Sequence, residues 1–173
     1  MNERAATMRA IGVGLMFGFS AFASPGFGQA QVPAAIAAAD ATPVIAFHAE
    51  GAQLYECKAG GDAKLQWTFR EPIATLILDG KTVGRHYAGP NWEYADGSTV
   101  TGKVAASAPG ANAGDIAWLK LDVVARHGNG TLANVDVVQR INTSGGALSG
   151  ACEQAGQFRS VPYSADYVFL HKG

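Results

Sequence analysis

From Val44 onward the chain alternates apolar and polar residues in short runs, separated by Gly, Asp, Asn and Pro. Period two is the signature of half-buried β-strands with tight turns. The clearest run is Asp115 to Ile141, "DIAWLKLDVVARHGNGTLANVDVVQRI". Ala117, Leu119, Leu121, Val123 and Ala125 share one face of its first arm, and Trp118, Lys120, Asp122 and Arg126 the other. On the second arm Ala133, Val135 and Val137 alternate against Asn134, Asp136 and Arg140. Pairing Leu121 with Val135 sets Leu119 opposite Val137 and Lys120 opposite Asp136 across a three-residue turn. A slip of two opposes Asp122 and Asp136, and a slip of one sends Asp136 into the core. The expected register is therefore Leu121 with Val135.

Asp-Gly dipeptides predict two further hairpins, in "LILDGKTVGRHY" at Asp79-Gly80 and "WEYADGSTVTGKV" at Asp96-Gly97. Strands are also expected at "VIAFHAE", "AQLYECK", "KLQWTFR" and "PYSADYVFL". In the last, Tyr163, Ala165, Tyr167 and Phe169 share a face with Val161. No amphipathic helical pattern of useful length follows Pro43. About eight to ten short strands describe an all-β domain, a single compact antiparallel sandwich or barrel. The pattern does not choose between these two.

The N-terminus has a different texture. Arg4 and Arg9 precede the apolar run Ala10 to Ala23, which is shorter than the roughly 20 residues of a spanning helix. A basic start, a short apolar core and small residues beyond it predict a secretory signal peptide over residues 1–30. Cleavage is expected after Ala30, with Ala23 as the alternative. Residues 31–43 form an Ala/Pro-rich leader expected to fray or lie on the surface, and residues 44–173 form the β domain. No second apolar run long enough to span a bilayer follows. The expected product is a soluble domain, secreted or periplasmic. Cys57 and Cys152 are the two cysteines, and in an oxidising compartment they are expected to pair and close a loop of about 95 residues.

Charge narrows the function. The chain carries 13 Lys and Arg against 14 Asp and Glu, with no basic cluster. Phosphate neutralisation needs such a cluster, so nucleic acid is not an expected partner. No phosphate-binding loop or dinucleotide fingerprint is present, and no cofactor is expected. His48 and Glu50 share a strand face, but the other histidines are scattered, so no metal is expected.

The densest chemistry is in "GRHYAGPNWEYADGS", Gly84 to Ser98. Asp96 reads as a turn residue bonding its own backbone. His86, Tyr87, Trp92 and Glu93 remain as candidate ligand-binding residues. Trp118 joins them because it shares a polar face with Lys120 and Asp122. An exposed ring there would serve a sugar or a partner, unless a neighbouring segment covers it.

Several motifs resemble an exported bacterial and fungal domain family of unknown function: "GAQLYECK", "HYAGPNWEYADGSTVTGKV", "IAWLKL", "VQRINTSGG" and "VPYSADYVF". The likeness spans roughly Val44 to Phe169. It implies export, one β-rich domain and a Cys57–Cys152 bridge, and no reaction. The leading expectation is a non-catalytic module binding a small molecule, a glycan or an envelope partner. The alternatives are a cofactor-free hydrolase or lyase using Glu93 with His86 or a second acid, and an envelope protein with a structural or stress role and no small ligand.

Overall fold

The computed structural model describes residues 32–61 and 63–173. The expected signal peptide and its expected cleavage point lie outside the described residues. After a 3-10 turn at Ala34–Ile36, eight strands follow: β1 Ala41–Ala59, β2 Leu65–Leu78, β3 Lys81–Tyr87, β4 Asn91–Tyr94, β5 Thr99–Ala108, β6 Trp118–His127, β7 Val137–Gly145 and β8 Phe158–Lys172. Each pairs antiparallel with the next, and β8 returns to β1, so the sheet closes into a barrel. Closure leaves no sheet edge unpaired, and it resolves the choice between sandwich and barrel. "VIAFHAE" and "AQLYECK" merge into β1, which begins at Ala41, inside the expected leader.

Both Asp-Gly hairpins form. Asp79 and Gly80 have φ of 49° and 72° and make a two-residue turn between β2 and β3. Positive φ at both central residues is what the right-twisted hairpin needs, and Asp-Gly supplies it. At the second, Asp96 accepts from the Ser98 backbone N–H and also reaches the Thr131 N–H, 35 residues away.

The β6–β7 register departs from expectation. Leu121 pairs with Val138, Leu119 with Arg140 and Lys120 with Gln139. Residues 128–136 make a folded loop rather than a tight turn. Leu132 and Val135 from this loop are fully buried inside the barrel end. Asp136 leaves the ladder and takes the Arg126 guanidinium, the His171 ring and the Lys172 backbone N–H. An exposed Lys120–Asp136 pair is worth well under about 1 kcal/mol, whereas burying two aliphatic side chains contributes about 1.5–3 kcal/mol each. The loop therefore wins. The shift is three residues, an odd number, so β7 turns over: Val138 and Arg140 point inward, while Val137, Gln139 and Ile141 point outward.

The outward side of β7 is not left bare. Ile36 from the leader is fully buried with Ala108 and Ile141, and packs against Trp118 and Val168. Gln139 Nε2 donates to the Ile36 carbonyl at 2.7 Å. Residues from 32 onward thus lie on the barrel surface, and they cover Trp118.

Inside, aromatic rings run along the axis. Phe47 meets Tyr94 and Phe169, Phe169 meets Trp92, and Trp92 meets Tyr167 and His86. Gly102 makes room for the indole, since a Cβ there would sit 3.0 Å from the Trp92 ring.

Candidate functional site: the open end of the barrel

Loop 128–136 closes the end where β1 starts. At the opposite end a cavity of about 550 Å³ opens between the β3–β4 turn, the start of β6 and the loop after β7. A cavity of this size suits one small organic molecule, and an eight-stranded barrel either fills with side chains or keeps room for one such ligand.

Its walls come from alternate, inward-facing residues. Tyr55, Trp92, Leu119 and Leu121 supply apolar surface, with Phe69 and Val104 about half exposed nearer the mouth. The Tyr55 hydroxyl donates to the Gly146 carbonyl at 2.7 Å and accepts from the Leu148 N–H at 3.2 Å, which ties the loop after β7 to the rim. The Cys57–Cys152 disulfide, separated by 95 residues, fastens the same loop to β1. A loop of that length is worth up to about 4–5 kcal/mol in the chain-entropy account.

His86 sits opposite Trp92 in the β3–β4 ladder, its ring stacked on the indole at 4.5 Å and 8°. Its Nδ1 lies 2.8 Å from the Asn91 carbonyl. A carbonyl can only accept, so Nδ1 carries the proton and Nε2 keeps a lone pair. Desolvation pushes the imidazole pKa down to about 3; the Asn91 bond opposes this and the Arg140 charge adds to it. His86 is therefore a neutral hydrogen-bond acceptor at physiological pH.

Arg140 enters the cavity from β7. Its Nε and Nη2 donate to the Ala117 carbonyl at 3.0 and 2.8 Å. Among the described residues no carboxylate lies within ion-pair distance of it. Its charge is felt by Tyr55, His86, Tyr163 and Tyr167. Burial pushes the three tyrosine hydroxyls up, so they stay protonated. Among the described residues, Gln53 Nε2 and Trp92 Nε1 of the wall are buried without a partner, as is Trp118 Nε1 on the outer face.

The structure separates the residues singled out in the sequence. His86 and Trp92 line the cavity together. Glu93 and Tyr87 lie on the outer face, where Glu93 takes the Arg85 guanidinium at 2.7 Å and Arg85 covers the Tyr87 ring. The barrel wall thus stands between Glu93 and His86, and the two do not converge as the Glu93–His86 form of the hydrolase or lyase alternative requires. Trp118 is also outside, under the leader. His48, the start of a conceivable metal site, is on the outer face and bonds Asp166 at 2.9 Å.

Gln53, Tyr55 and Arg140 are among the wall residues that the sequence pattern does not single out. Gln53 and Tyr55 share parity with Cys57 on one strand, a signal that was available. The expected register puts Arg140 on the solvent face, and the odd shift of β7 turns it inward.

Residues 37–171 match the family model described as Protein of unknown function (DUF3455). The chain belongs to this family. The match runs from just after the 3-10 turn to near the end of β8, so the DUF3455 region comprises the whole barrel. No curated protein and no solved structure matches the chain.

Proposed function

We propose that this DUF3455 domain is an exported binding protein that holds one small, largely apolar molecule in the open end of its barrel. The carrying observation is the cavity of about 550 Å³ whose wall keeps two buried donors, on Gln53 and Trp92, unpaired. More than nine in ten buried polar groups find a partner, and an unpaired one costs about 1–3 kcal/mol. A ligand that drew the Gln53 and Trp92 side chains toward the cavity would give these donors a partner. The mostly apolar and aromatic lining favours a hydrocarbon-bearing ligand over a glycan. Export is supported by the Cys57–Cys152 bridge, since such bonds persist in oxidising compartments.

The test is titration with N-phenyl-1-naphthylamine, an uncharged dye that fluoresces in apolar surroundings. The expected result is saturable binding of one dye per chain, weakened at least about 10-fold by Leu119→Trp, which fills the cavity. Equal binding by the wild type and a folded Leu119→Trp variant would reject the site.

A further inference from the structure

Arg140 adds a chemical demand to the cavity. A guanidinium is always charged, and taking it from water without a counter-ion is costly. The Ala117 carbonyl satisfies one edge of the group but supplies no negative charge. The acid of the lining, Asp115, does not supply it either. Its Oδ1 accepts from the Gly145 N–H at 2.7 Å, and its Oδ2 from Asn112 at 2.9 Å through both the backbone and the side-chain amide. Asp115 is thus spent on holding the β5–β6 loop to the end of β7.

The neighbours of Arg140 on β6 and β8 are Leu119 and Tyr167. The cation therefore sits at a boundary, with hydrocarbon wall on one side and hydroxyl, amide and imidazole groups on the other. A ligand matching this boundary has one compact anionic group and an apolar body.

Resting on the reading that the cavity is a binding site, we infer that its ligand is an apolar monocarboxylate, its carboxylate paired with Arg140 and its hydrocarbon body against Tyr55, Trp92 and Leu119. The neutral His86 supplies no charge and offers Nε2 to a hydroxyl or N–H on the ligand body. Arg suits this task better than Lys because its planar fork matches a carboxylate.

The experiment displaces N-phenyl-1-naphthylamine from the full mature chain with three compounds sharing one ring system: 2-naphthoate, 2-naphthalenemethanol and 2-naphthylmethylamine. The expected order places 2-naphthoate at least about 10-fold ahead of the alcohol, the size of one charge-assisted hydrogen bond. In Arg140→Met that advantage should vanish while the alcohol binds as before, and in Arg140→Lys part of it should remain. If the alcohol or amine competes as well as 2-naphthoate in the wild type, the anion assignment is wrong and the binding site stands. If the advantage survives in Arg140→Met, the assignment to Arg140 is wrong. If the dye itself does not bind, both readings fall.

Discussion

At one end of the barrel Leu132 and Val135 are fully buried, and Asp96 and Ser98 hold their loop by accepting from the Thr131 and Leu132 N–H groups. At the other end, among the described residues, donors on Gln53 and Trp92 are unpaired and Arg140 has no carboxylate within ion-pair distance. The same eight strands make both ends. The difference lies in the loops: one loop folds inward as a plug, while the loop after β7 is tied back to the rim by Tyr55 and the disulfide. Packing at the plug serves stability. The polar wall of the open end is what the proposed ligand would engage.

Substitutions should separate the two ends. The largest effect is expected at the plug. Leu132→Ala should cost about 3 kcal/mol in chemical denaturation, because it removes buried atoms from a closed end with little room to collapse. It should leave dye affinity within about 2-fold. Loss of affinity in a folded Leu132→Ala variant would show that the ends are not independent.

Acid gives an intermediate effect, traceable to His86 at the floor of the open end. In the unfolded chain its imidazole takes a proton near pH 6.5, whereas burial holds it neutral down to about 3 in the fold. Between these values the unfolded state binds more protons, so stability is full above about 6.5 and falls with acid by about 1.4 kcal/mol per pH unit. Asp96, Asp115 and Asp136 are each held below the usual carboxylate range. For Asp96 and Asp136 hydrogen bonds outweigh a desolvation that acts the other way; for Asp115 the Gly145 N–H leads. Their own acid sensitivity begins only below about pH 4. Denaturation midpoints between about pH 7 and 5 should therefore drop more steeply in the wild type than in His86→Phe. Parallel slopes would contradict the buried, neutral assignment.

The smallest effect on stability is expected at Arg140. Arg140→Met removes an uncompensated charge but also deprives the Ala117 carbonyl of its donors, and the two changes oppose each other. The net should stay within about 1 kcal/mol by denaturation. A loss as large as that of Leu132→Ala would make Arg140 a structural residue.

Much of this architecture was legible from local chemistry. Period-two runs and the Asp-Gly turns located the strands, and export logic paired Cys57 with Cys152. Strand parity within "RHY" and "NWEY" separates His86 from Tyr87 and Trp92 from Glu93. The β6–β7 pairing was not legible, because its deciding terms are long-range. Leu132 is buried by the closed barrel, and Asp136 answers to Arg126 and to His171 on β8. A local rule pairing Lys120 with Asp136 could not weigh those partners. That single odd shift hid Arg140, the lining cation that, unlike Arg70, has no carboxylate partner among the described residues.

The most direct measurement is a ¹⁵N-resolved NMR titration of the mature chain with 2-naphthoate. Amide shifts should concentrate at Gln53, Tyr55, Ala117, Arg140 and Leu148 at the open end, with the Asp79-Gly80 turn and Thr131 unmoved. Shifts confined to the outer face around Tyr87 and Glu93, or spread without preference over both ends, would contradict a ligand site inside the barrel.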